Sequence, residues 1–313
     1  MPAFTATAPG KIILFGEHAV VYGHPAVAAP VNKVRARATV IANPADETGE
    51  IFIQAPDIGV DTSLATLSPE HPLAKTIYLL LNLLAISHLP ACTVRITSTI
   101  PVASGLGSGA AVSVAMLRSL SAFLGHPLAD EDISSLTFEI EKIYHGTPSG
   151  IDNTAITFSR PIYYIKGQPI QFLNVLQPFT IVIGDTGIAS PTSTTVGDVR
   201  HLWQANPERY EAIFDSIGQI ASSARQLIEK GQADQLGPLM DQNHSLLQDL
   251  GVSCPELDHL ITIAHQAGAL GAKLSGAGHG GNMITLTSPE NAAKIQQALL
   301  QAGAIQTIVT EIR

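Results

Sequence analysis

Charge is scarce in this sequence. Asp, Glu, Lys and Arg make up 14% of its 313 residues, against about 25% in an ordinary soluble domain. The 17 Lys and Arg are outnumbered by 26 Asp and Glu, giving a net charge of −9. No basic cluster could neutralise a row of phosphates, which argues against a nucleic-acid partner. Cysteine is nearly absent: Cys92 and Cys254 are too few for a disulfide framework or a four-ligand zinc site. H-E-x-x-H, G-x-S-x-G and C-x-x-C do not occur. No apolar run reaches the roughly 18 residues of a spanning helix, and the longest, around Ile77–Ile86, is interrupted by Asn82. A soluble protein with no membrane partner is therefore expected. The start, MPAFTATAPGK, lacks a basic stretch followed by an apolar one, so the cytoplasm is the expected location. Low Lys and Glu content argues against a dense ion-pair surface. Hydrophobic residues, in contrast, reach 45% with a mean hydropathy of +0.24. That composition excludes disorder, and the length predicts two domains.

Apolar periodicity and turn residues predict short strands at Ala3–Ala8, Lys11–Phe15, Arg35–Ile41 and Ile51–Gln54, a helix over Leu73–Ser87 and a strand over Cys92–Ser98. Beyond a Gly/Ser loop, a buried helix is expected over Ala110–Leu124, and a second over Asp130–Tyr144, capped by Asp130. Arg160–Ile165 and Ile170–Leu173 read as a hairpin. Gly167, Pro169 and Pro178 place the domain boundary near residue 172, giving domains 1–172 and 173–313. The second domain begins with a strand over Phe179–Gly184. Helices follow within Val196–Leu250 and over Pro255–Ala267, then strands over Ala272–Leu274 and Met283–Thr287. A helix over Pro289–Ala302 and a strand over Ile305–Ile312 complete it. Extra helices aside, the order is β-α-β-β-α-β, the split or ferredoxin-like arrangement.

Three loops attract chemical interest. Gly105-Leu-Gly-Ser-Gly109 lies between a strand and a buried helix, where free amides and the positive helix end converge as an anion site; the same glycines also suit a plain tight turn. Gly276-Ala-Gly-His-Gly-Gly281 matches G-x-G-x-x-G in form, yet a strand follows it and position 301 is Gln. A dinucleotide fold would need a helix there and an acidic residue about 20 positions on. The third stretch runs from Ala8 through Lys11, Glu17 and His18 to Gly23. Thr5 stands where a P-loop would place its first glycine, so it is not a P-loop. Lys11 opens an apolar strand in a lysine-poor chain, while Glu17 and His18 follow a glycine at that strand's far end. A fourth segment, from Glu139 to Asn153, ends a helix at Gly146 and enters a Pro/Gly turn bearing Asp152.

Together, PGKIILFGEHAVVYG, the P-x-x-x-G-L-G-S loop from Pro101, HGTPSGIDN and KLSGAGHGGN resemble the motifs of the GHMP kinase superfamily, in family order from residue 8 to 282. The resemblance implies an α+β fold: an N-terminal α/β domain with a left-handed βαβ crossover, packed on a C-terminal ferredoxin-like domain. The branch most similar transfers the γ-phosphoryl of ATP to the C5 hydroxyl of mevalonate, with Mg²⁺ as cofactor. By that resemblance Asp152 is the catalytic carboxylate and Lys11 the lysine that pairs with it. Pro101, Ser104, Gly105, Leu106, Gly107, Ser108, Gly109 and Ala110 would hold the nucleotide. Glu141 would bind Mg²⁺, helped by Ser108. Glu17, His18, Thr194, Gly276, Ala277 and Gly278 would line the acceptor side, and a homodimer is expected. The alternative within the same chemistry is a phosphomevalonate kinase or another small-alcohol GHMP kinase; phosphomevalonate kinases tend to carry Tyr where His18 stands, and galactokinases carry Arg where Lys11 stands. Two positions depart from the family: Gly109 replaces a serine that supplies a hydroxyl to the metal, and His279 interrupts a run of glycines. A non-catalytic ligand sensor on the same fold is the alternative of another class.

Overall fold

In the computed structural model, residues 3–45, 49–101, 104–145, 148–189 and 192–313 are described. Burial along β1 (Ala3–Phe15) changes from partial near its start to complete over its second half. Pro9 does not divide it as the sequence suggested, because an edge strand has one side on which no amide need donate. β1 pairs with β2 (Ala26–Ala42), which starts well before the expected Arg35. The early part of β2 is buried throughout, so it lacks the alternation by which a strand is read. β3 (Ile51–Ala55), β4 (Val60–Ser63), α1 (Pro72–Leu83), β5 (Cys92–Ser98), α2 (Ser108–Phe123), α3 (Asp130–His145) and α4 (Ile151–Phe158) follow. After them come β6 (Ile162–Tyr164), β7 (Gln171–Phe172), β8 (Phe179–Asp185), α5 (Thr192–Ala205), α6 (Pro207–Glu229) and α7 (Leu236–Asp249). The chain closes with α8 (Pro255–Gln266), β9 (Gly271–Ser275), β10 (Asn282–Thr287), α9 (Ala292–Gln301) and β11 (Gln306–Ile312). No helix among the described residues is long and apolar enough to cross a membrane.

These elements form two compact units that are not contiguous in sequence. The first takes the chain up to Gly10, Val34–Pro101 and Gly107–Ser159. In it β5 runs parallel to β3 and antiparallel to β2, with β4 antiparallel on β3. The parallel pair is joined through α1, as a βαβ crossover requires. Buried Ala110, Ala111, Ser113 and Ala115 keep α2 slim, and α1, α3 and α4 all pack on it. Arg118 of α2 ties this layer together by donating to Asp130 Oδ1 at 2.8 Å and to the Thr157 carbonyl at 2.6 Å. Asp130 is therefore the first helical residue of α3 and an ion-pair partner, not the cap the sequence suggested. Asp152 lies in the first turn of α4, where the sequence had indicated only a Pro/Gly turn.

The second unit takes Lys11–Lys33, the segment ending at Leu106, and Arg160–Arg313. β6 and β7 form the expected hairpin, with Ile162 opposite Phe172. The main sheet has the order β11-β8-β10-β9 with every neighbouring pair antiparallel, the ferredoxin-like order its β-α-β-β-α-β sequence implied. Val182, Phe214, Ile217, Leu247, Leu274, Met283, Ile295 and Leu299 are buried together as its core. α7 approaches β9 with no side chain between: a Cβ on Gly237 would lie 2.0 Å from the Leu270 carbonyl oxygen.

Candidate active site

The loops singled out in the sequence are assembled by backbone and side-chain hydrogen bonds in the second unit. The Lys11 N–H donates to the Leu106 carbonyl at 2.9 Å. Two residues on, Ser275 Oγ accepts from the Ile13 N–H at 3.1 Å and donates to the Ile13 carbonyl at 2.9 Å. Asn282 Nδ2 donates to the Ser104 carbonyl. Hence the strand bearing Lys11, the segment Ser104-Gly105-Leu106 and the glycine loop after β9 form one cluster. Lys11 is 4% exposed, and a buried lysine in a lysine-poor chain is not the solvated strand end that its type suggests.

Glu17 and His18 sit at the end of β1, after Gly16, whose φ is +99° and whose Cβ, if it had one, would strike the Ala26 backbone at 2.5 Å. Glu17 is fully buried and accepts from Lys273 Nζ of β9, which also donates to the Leu274 carbonyl at 2.5 Å. Burial pushes the Glu17 carboxyl up and the Lys273 ammonium down from their ordinary values, and each partner's charge opposes the other's shift. Glu17 Oε2 is buried and has no hydrogen-bond partner among the described residues. The His18 imidazole is pushed down to about 4 by burial, so it is neutral at pH 7. In that form its Nε2–H donates to the Ala277 carbonyl at 2.8 Å.

The glycine loop is not a plain β-turn. Gly276, Gly278, His279, Gly280 and Gly281 all have positive φ. A Cβ on Gly278 would lie 2.0 Å from the Val252 carbonyl oxygen, so glycine is required there by space as well as by conformation. Thr194 is exposed in the first turn of α5, and Thr195 beside it is buried.

The first unit holds the remaining candidates. Gly107, at φ +73°, precedes α2, so Ser108, Gly109 and Ala110 form the first turn, whose amides have no partner within the helix. The helix dipole adds positive potential at that end. Pro101, three residues beyond β5, ends a segment of the same unit. Glu141 of α3 is 3% exposed, a carboxylate buried in a helix bundle. Asp152 is half-buried at the start of α4. Its neighbour Asn153 fixes that start by donating from Nδ2 to Ser134 Oγ at 2.9 Å and to the Ser134 carbonyl at 3.2 Å. Thr154 Oγ donates back to the Gly150 carbonyl at 2.7 Å.

Lys273, Ser275 and Asn282 were not singled out from sequence. Lys273 carried a signal, the same one as Lys11: a lone lysine inside an apolar strand. Ser275 and Asn282 carried only their place in the KLSGAGHGGN motif, since their partners lie far away in the chain.

A family model described as GHMP kinases N terminal domain matches residues 73–160, and one described as GHMP kinases C terminal matches residues 224–305. The mevalonate kinase of Thermococcus gammatolerans is 38% identical over an alignment covering 98% of this chain and 95% of its own. The chain belongs to the GHMP kinase family. Among solved structures, this GHMP kinase is similar to L. major mevalonate kinase in complex with R-mevalonate, with a TM-score of 0.82 and 30% identity. That match covers 99% of this chain and 95% of the other. The mevalonate kinase of Methanococcus jannaschii matches with a TM-score of 0.85 and 26% identity, over 99% and 98% of the two chains. The fold of this GHMP kinase is thus the α+β fold its motifs implied.

Proposed function

We propose that this GHMP kinase transfers the γ-phosphoryl group of ATP to the C5 hydroxyl of mevalonate. The observation that carries the reading is the near full-length similarity to mevalonate kinases, at 38% identity, in a chain that has Lys11, Glu141 and Asp152 in the family motifs. ATP supplies the transferable phosphoryl group; the protein's part is to position it, neutralise charge and receive a proton. Ser104–Ala110 offers unhindered amides and a helix N-terminus to the phosphates. Lys11 offsets charge that develops on the transferred group. Asp152 orients the acceptor hydroxyl and takes its proton. His18, held neutral, Thr194 and the loop Gly276–Gly278 line the acceptor side. Glu17, fully buried on Lys273, supports that side from behind.

Glu141 and Ser108 offer a carboxylate and a hydroxyl, the oxygen donors that Mg²⁺ prefers. Among the described residues no group of three or more His, Cys, Asp or Glu could hold a metal by itself. This donor set fits an ion that keeps waters and phosphate oxygens in its shell, with Ser108 standing in for the hydroxyl that Gly109 lacks. ADP release should be measured with MgATP and a panel of mevalonate, phosphomevalonate, homoserine and galactose. Mevalonate-dependent turnover is expected, falling at least about a hundredfold in Asp152→Asn. Turnover with another acceptor alone would keep the family and discard the substrate, while binding without turnover would mark a sensor.

A further inference from the structure

From Gly276 to Gly281, His279 alone carries a side chain larger than a methyl group. Its φ of 56° lies in the left-handed region, which disfavours side chains and suits glycine. The strain is matched by two bonds to one turn. The His279 main-chain N–H donates to the Val252 carbonyl at 2.7 Å, and the ring Nε2–H donates to the Gly251 carbonyl at 2.8 Å. That turn, between α7 and α8, is itself braced: Ser253 Oγ donates to Asp258 Oδ1 at 2.5 Å, and His244 Nε2 bonds the same oxygen at 3.0 Å.

The loop is held elsewhere too. His18 grips the Ala277 carbonyl, and the Gly281 N–H donates to the Ile188 carbonyl at 2.9 Å. His18 has a φ of 61°, so both histidines sit in a strained backbone region and both hold a carbonyl through Nε2 at 2.8 Å. A run of glycines is the most expensive kind of chain to order, and side-chain anchors set before a substrate arrives lower the cost of ordering it then. Strained backbone of this kind persists where surrounding contacts hold it, and it clusters at functional sites.

The geometry points to His279 as a positioning residue for phosphoryl transfer, a staple that presets the glycine loop against the Gly251–Val252 turn. For its catalytic consequence this rests on the function proposed above; for the staple itself it does not. His279→Gly keeps the left-handed backbone without strain and removes the ring, so the fold is retained. His279→Gln returns an N–H donor of similar reach.

Hydrogen exchange at residues 276–281 of the ligand-free protein is expected to quicken in His279→Gly and slow again in His279→Gln. kcat/KM for mevalonate should fall about tenfold in the glycine variant, as misplacement of a positioning element does, and recover in the glutamine variant. Unchanged exchange in His279→Gly, faster exchange with unchanged kcat/KM, or a glutamine variant indistinguishable from the glycine one would each overturn the inference. If the unmodified enzyme fails to turn over mevalonate, the proposed function falls, and the exchange result alone decides the staple.

Discussion

Glu17 and Lys273 are 256 residues apart in sequence, and they meet with both side chains removed from water. No local pattern announces such a pair, because its cause is the convergence of β1 and β9. The motif showed Glu17 as a residue of the acceptor side; only the packed structure shows it turned onto a lysine. His18 beside it has a measurable consequence. The unfolded chain takes up a proton at this imidazole near pH 6.5, whereas the folded protein resists until about pH 4. A folded value below the unfolded one contributes stability above pH 6.5, and that contribution is lost as pH falls toward 4, by up to about 3 kcal/mol. Urea unfolding at pH 7 and pH 4.5, compared between the wild type and His18→Gln, is expected to show a shallower loss in the variant. Equal losses would mean that His18 does not titrate as its burial dictates.

At the scale of elements, the sequence was most legible where one face is wet and one is dry. Cys92–Ser98 alternates, and its bounds are legible to the residue; the start of α3 is legible too, although Asp130, expected as its cap, is its first helical residue. α4 was missed because Ser-Gly leads into β-branched Ile151, Thr154, Ile156 and Thr157, which are poor helix formers. Burial of Ile151, Ala155 and Ile156 stabilises the helix in their place, and so Asp152 sits on a helix start instead of a turn. The contact of α7 with β9 was equally silent, since glycine in a helix reads as weakness. Two identical substitutions separate the cases. Gly237→Ala puts a methyl group 2.0 Å from a backbone oxygen and should destabilise by about 3 kcal/mol. Gly197→Ala in α5 meets nothing within 4 Å and should stabilise by about 0.5–1 kcal/mol through helix propensity. Denaturant midpoints of both variants test the opposite signs.

At the scale of the whole molecule, each unit carries one thiol. Cys92, in the first, is fully buried and pushed up to about 11 by that burial; Cys254, in the second, is half-buried and raised for the same reason. β1 and β2 run unbroken through residues assigned to both units, so loss of either strand takes structure from each. Pulsed thiol labelling along a urea titration, read by mass spectrometry, should therefore expose Cys92 at the same midpoint as the loss of far-ultraviolet dichroism. A lower midpoint for Cys92 would mean that the first unit opens by itself.

The same interleaving bears on how such a chain can be shuffled. Severing it after residue 172 would leave Lys11–Lys33, a segment of the second unit, on the amino-terminal fragment. Neither fragment would be a cassette. Grafting the C-terminal portion of a relative onto this N-terminal portion would split a strand partnership inherited from the opposite parent, so chimeras should succeed only when residues 11–33 travel with the carboxy-terminal half.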